Sequence, residues 1–125
     1  MIVGVGTDLV ERVRIEKSYK RYGNRFAVKI LGSTELQDFS RVKFKAAFLA
    51  KRFAAKEAVA KALGTGMRDG VHFSGIEVTH DHRGQPGVYL SGGAAYRADE
   101  LGIKQWHLSL SDERQHALAF AIAEK

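Results

Sequence analysis

The sequence contains no cysteine, which excludes disulfide braces and thiolate metal sites. Packing alone must complete its core, as is usual in a reducing compartment. Proline occurs once, at Pro86. No apolar run approaches the ~18 residues of a membrane span. The opening Met1-Ile2-Val3-Gly4-Val5-Gly6 turns polar too soon for a secretory leader. A cytoplasmic location is the expectation. Acids are also in short supply: 14 Asp and Glu stand against 20 Lys and Arg, a formal net charge of +6.

What is there reads as one compact domain over 1–125. Hydrophobic residues make up 45% and charged residues 27%, a globular rather than a disordered composition. The basic charge is clustered. Arg12, Arg14, Lys17, Lys20, Arg21, Arg25 and Lys29 face one acid, Glu16, and Arg41, Lys43, Lys45, Lys51, Arg52 and Lys56 face none within their own run. Each run is either a solvated surface or an attractor for nucleic acid, acidic protein or a phosphorylated small molecule.

Periodicity predicts an α+β fold, helices packed on a small antiparallel sheet. Residues 2–5 form a short strand, and a helix follows over 9–22, ended by Gly23. Asn24 caps a short turn that closes at Gly32. The clearest element is a long alanine-rich helix over 44–63, stopped by Gly64 and Gly66. Two strands, 76–79 and 88–90, flank a turn-rich stretch holding Gly84 and Pro86. A helix over 93–101 and strands at 106–111 and 117–123 complete the chain. In the last strand Leu118, Phe120 and Ile122 occupy one face and alanines the other. That alanine face predicts close packing by a helix or another subunit.

Several residues are candidates for chemistry. Glu57 is the only carboxylate in the long helix, among Lys45, Lys51, Arg52, Lys56 and Lys61. It is either an ordinary i,i+4 partner of Lys61 or a metal-binding carboxylate with Lys61 and Arg52 on phosphates. Asp8 is either a helix cap boxed with Glu11 or the second carboxylate of that metal site. His107 shares a strand face with Ser109 and Ser111. That face is either solvated or the lining of a pocket with phosphate contacts and a proton carrier. Gly64 and Gly66 either end the helix or shape an anion-binding turn. His80 and His82 are read as surface residues.

Taken in order, Gly4-Val5-Gly6-Thr7-Asp8, then Arg52-Phe53-Ala54-Ala55-Lys56-Glu57-Ala58-Val59-Ala60-Lys61-Ala62-Leu63-Gly64-Thr65-Gly66, then His107-Leu108-Ser109-Leu110-Ser111 resemble the holo-acyl-carrier-protein synthases, the short 4′-phosphopantetheinyl transferases. The resemblance spans essentially the whole chain, and its middle block is the most specific. It implies transfer of 4′-phosphopantetheine from coenzyme A to a serine of apo acyl carrier protein, in support of fatty acid biosynthesis. It further implies Mg²⁺ on Asp8 and Glu57, cofactor phosphates on Arg52 and Lys61, and catalytic roles for Glu57, Lys61 and His107. Gly64, Gly66, His107 and Ser109 are expected to line the coenzyme A site. Arg14, and with a looser match Arg21 and Arg25, are expected to face the acidic carrier protein. A homotrimer with sites shared between subunits is implied too, with no role for nucleic acid or membrane. Asp112 departs from the pattern, because many members carry a histidine there. The proton acceptor stays open among a metal-bound water, Glu57 and His107. Two other readings compete: a basic nucleic-acid-binding module, which leaves Glu57 unexplained, and a structural trimer without catalysis.

Overall fold

The computed structural model describes residues 1–125. Strand β1 (Ile2–Glu11) leads into helices α1 (Arg12–Tyr22), α2 (Asn24–Ile30), α3 (Ser33–Arg41) and the long α4 (Lys45–Ala62). The hairpin of β2 (Ile76–His80) and β3 (Pro86–Leu90) follows, then α5 (Gly92–Leu101) and strands β4 (Gln105–Asp112) and β5 (His116–Glu124). The fold is α+β. Its main sheet is antiparallel with order β1-β5-β4, and β2-β3 forms a separate two-stranded sheet. No helix is long and apolar enough to cross a membrane.

Two elements differ from expectation. The first strand runs to Glu11 rather than stopping at Val5, and α1 begins at Arg12. β5 supplies the reason: it pairs with β1 through Val5↔Ile122, Thr7↔Phe120, Asp8↔Ala119 and Leu9↔Leu118. A complete ladder overrides the local turn signal at Gly6. The second is α3, which the sequence reading passed over. Its start is held by Glu35, whose Oε1 accepts the Gly32 N–H at 3.0 Å. Asn24 opens α2 as its first residue and makes no side-chain cap.

The main sheet wears its small residues inward. Ala117, Ala119, Ala121 and Ala123 are fully covered by α4 packed across β5 and β1. On β1 the inward positions nearest α4 are Gly4 and Gly6. A Cβ at Gly4 would meet the Ala62 carbonyl, and one at Gly6 the Ala58 carbonyl. The Gly-x-Gly spacing therefore serves close approach of helix backbone to strand backbone. Gly6→Ala is expected to cost about 3 kcal/mol, because the obstructing atoms are backbone and cannot rotate away. Urea unfolding monitored by circular dichroism measures it. An unchanged midpoint would mean that α4 can lift off the sheet freely.

The outward face is the opposite. Val5, Leu9, Leu118 and Phe120 are exposed, and the strand register places them side by side with Ile122. Half-exposed leucine and phenylalanine on one continuous sheet face form an apolar patch of the kind that marks a contact surface.

Candidate active site

α4 carries Glu57 to the place where it crosses β1, and strand alternation turns Asp8 inward to meet it. Asp8 pairs with Ala119, so the two side chains share the face covered by α4. The capping-box reading of Asp8 is thereby overturned: Asp8 lies inside a strand, and α1 has no side-chain cap. Lys61, one turn beyond Glu57, reaches back to β1. Its Nζ donates to the Thr7 carbonyl at 2.9 Å and to Asp8 Oδ1 at 3.3 Å. The i,i+4 pairing of Glu57 with Lys61 is not formed, because Asp8 takes the ammonium instead.

Burial raises the Glu57 carboxyl above the ordinary glutamate range, and the neighbouring Asp8 charge raises it further, against a smaller opposing pull from Lys61. Two carboxylates pushed together, with one half-exposed lysine between them and solvent, form a hard-oxygen site short of positive charge. That donor set suits a small divalent cation bound by two carboxylates, with waters and substrate oxygens completing its shell.

Arg52 and Lys56 belong to a different part of the molecule. Both side chains point into the interior and share one carboxylate, Glu35. Lys56 is fully buried and also donates to the Phe73 carbonyl at 2.9 Å. Burial lowers the affinity of its ammonium for the proton, and Glu35 opposes that shift. Arg52 is only 6% exposed, where a surface cation was expected. Its guanidinium still borders a cavity of about 580 Å³, whose wall also holds Lys51, His80, Pro86 and Ser109. Burial and the adjacent Arg52 charge hold the His80 imidazole below the usual histidine range, toward its neutral form. Sequence reasoning assigned Lys51 and Glu35 no role; it read His80 as a surface residue, and His80 is exposed, at the wall of the cavity. Nothing in local spacing links the three, since they come from α4, α3 and the β2–β3 hairpin.

His107 and Ser109 lie on the outward face of β4, with His107 opposite Ile122. This face is turned away from Asp8 and Glu57. Within one chain His107 therefore does not join the carboxylates. Its Nε2 lies 2.9 Å from Glu124 Oε1. That hydrogen bond, with the imidazole beside it, draws the Glu124 carboxyl below its ordinary value.

Gly64 and Gly66 both adopt left-handed backbone, with φ of 79° and 62°. Their amides are already engaged: Gly64 N–H donates to the Lys61 carbonyl at 3.0 Å, and Gly66 N–H to the Ala60 carbonyl at 3.1 Å. The two glycines close the C-terminus of α4. Arg97 Nε adds a bond to the Leu63 carbonyl at 3.0 Å. Arg14, Arg21 and Arg25 are all exposed, on α1 and at the start of α2.

Residues 4–121 match the family model of the 4′-phosphopantetheinyl transferase superfamily. The chain is 56% identical over 122 residues to a holo-[acyl-carrier-protein] synthase of Halorhodospira halophila, covering 98% of this chain and 97% of that one. A holo-[acyl-carrier-protein] synthase crystal structure from Neisseria meningitidis superposes with a TM-score of 0.94 at 45% identity, over all of both chains. A Bacillus anthracis holo-(acyl-carrier-protein) synthase crystallised in complex with CoA (3′,5′-ADP) gives a TM-score of 0.82 at 37% identity, over 98% of this chain and 96% of that one.

Proposed function

We propose that this chain, which belongs to the 4′-phosphopantetheinyl transferase superfamily, moves the 4′-phosphopantetheine arm of coenzyme A onto a serine of apo acyl carrier protein. Adenosine 3′,5′-bisphosphate leaves, and the holo carrier protein serves fatty acid biosynthesis in the cytoplasm. The observation that carries this reading is the meeting of Asp8, Glu57 and Lys61 where α4 crosses β1.

The serine oxygen attacks the pyrophosphate phosphorus that bears the pantetheine. The new O–P bond forms as the bridging P–O bond to the nucleotide breaks. Such a transfer depends on positioning and charge neutralisation more than on covalent catalysis. Asp8 and Glu57 would hold Mg²⁺, which when bound neutralises the pyrophosphate and the charge building on the leaving oxygen. Lys61 supplies a mobile cation at the same place, since its side chain is 50% exposed. Arg52 would hold the nucleotide end in the cavity beside the β2–β3 hairpin, with Ser109 on the outward face of β4 at its edge. His107, oriented by Glu124, reaches the carboxylates only from another copy of the chain. The apolar outer face supports a homotrimer in which such a site is completed across a subunit boundary.

The exposed Arg14, with Arg21 and Arg25, would steer the acidic carrier protein. Incubation with coenzyme A, Mg²⁺ and apo carrier protein tests the reading, with mass spectrometry of the carrier as readout. The expected gain is one phosphopantetheine per carrier, and an unmodified carrier overturns the assignment. In the same assay Arg14→Glu should raise the KM for carrier protein about tenfold at low salt and leave the KM for coenzyme A unchanged. Added salt should narrow that gap.

A further inference from the structure

Glu35 has no place in the reaction as described, yet its carboxylate is the most heavily engaged in the molecule. It is 1% exposed and sits at the start of α3. Oε1 accepts the Gly32 N–H at 3.0 Å and the Lys56 ammonium. Oε2 accepts Arg52 Nη1 at 3.0 Å and the Val78 N–H at 3.1 Å. One buried group thus ties α3, two successive turns of α4 and β2 together.

Two consequences bear on the cavity beside the hairpin. The Glu35 bond to Val78 fixes β2 two residues before His80, where the strand reaches the cavity wall. The guanidinium of Arg52 is held at one corner only. Its bonds inside the protein run through Nη1, to Glu35 and to the Val78 carbonyl at 3.4 Å, while its central carbon lies over the Phe48 ring, 4.4 Å from the centroid. Nε and Nη2 make no bond within the protein, and the residue lines the cavity. The fork is therefore clamped in orientation with an unused edge. Charge adds to this. Glu35 neutralises one of two cations, so the triad with both side chains protonated carries a net positive charge beside a cavity whose wall holds a further cation, Lys51, and one acid, Asp112.

We propose that Glu35 is a positioning residue for the cofactor: it clamps Arg52 and β2 so that the unused edge of the guanidinium meets a phosphate of coenzyme A remote from the reacting pyrophosphate, its 3′-phosphate. This rests on the assignment of the cavity to the nucleotide end of coenzyme A. Arg52 touches the ligand, and Glu35 acts through it.

Calorimetric titration of coenzyme A and of 3′-dephospho-coenzyme A into the full chain tests the proposal. Arg52→Lys keeps a cation for Glu35 but removes the planar fork. It should weaken coenzyme A about tenfold and the dephospho analogue little. Glu35→Gln should reproduce that selective loss. Because Glu35→Gln leaves a buried lysine without its counter-charge, the double variant Glu35→Gln/Lys56→Met is measured beside it, which removes the stranded charge as well. The decisive arm is Glu35→Gln placed in the Arg52→Lys background, where no further loss of discrimination is expected. Equal weakening of both ligands by either Glu35 variant, or a loss that adds to that of Arg52→Lys, overturns the positioning role. An Arg52→Lys variant that discriminates like wild type instead overturns the placement of the 3′-phosphate on Arg52, and the proposal falls with it.

Discussion

Replacing Glu57 by glutamine is expected to lower transfer by at least ~10²-fold, the scale of removing one pre-organised charged group from a site, while making the metal-free protein more stable. The two effects have one origin. Burial and the Asp8 charge raise the folded-state pKa of Glu57. A carboxyl raised in the folded state binds its proton more tightly there than in the unfolded chain. Its stabilising contribution is present below the unfolded value of about 4.3 and is lost as pH rises through the folded value. At neutral pH the ionised Glu57 is thus a net burden on the fold, and glutamine relieves it. Thermal unfolding in chelator at pH 7 should place Glu57→Gln above wild type, with the gap closing toward pH ~4. Mg²⁺ should raise the wild-type midpoint and leave the variant unmoved. Asp8→Asn should lose transfer similarly. Wild-type activity of both Glu57→Gln and Asp8→Asn at limiting Mg²⁺ would overturn the metal site.

Phe120→Glu should be as damaging by another route. Phe120 stands in the centre of the outward apolar face, beside Leu118 and opposite Thr7 and Ser109. A carboxylate there is tolerated by a lone chain, since the side chain is exposed, but it is costly inside an assembly. Sedimentation should show trimers for wild type and single chains for the variant, with circular dichroism unchanged. Transfer should fall to background, because Asp8 and Glu57 lie on one face of the sheet and His107 on the other. Mixing inactive Glu57→Gln and His107→Ala chains under exchange should return activity, as about one quarter of the shared sites then hold both native residues. A fully active, monomeric Phe120→Glu would mean that a single chain is a complete enzyme.

The parts that local pattern governs were legible in the sequence. α4, the β2–β3 hairpin and the alternation of β5 follow from alanine content, turn residues and period two. β1 was cut short because its partner lies at the far end of the chain, and no local window contains it. α3 was missed because its start depends on Glu35, which reads as one more polar residue until Arg52, Lys56 and Val78 close around it. The same carboxylate explains why the run from Arg41 to Lys56 misleads. That run looks like a surface field without acids, yet two of its cations are interior and share an acid from α3. Asp8 and Glu57 were joined through resemblance to a family. Spacing alone favoured a helix cap and a helix salt bridge, and neither is present.

The Lys61–Asp8 contact makes the ligands interdependent. Lys61 occupies Asp8 when nothing else does, so it competes with any cation for that carboxylate. At the proposed site an arriving pyrophosphate would draw the ammonium away and free the oxygen. Nucleotide and metal would then assist one another. By reciprocity each must raise the affinity of the other by the same factor. An ion pair this open to solvent contributes at most about 1 kcal/mol, which limits the cooperativity from this source to roughly fivefold. On the proposed assignment Lys61 would be a resident placeholder, whose eviction by substrate readies the site for its metal.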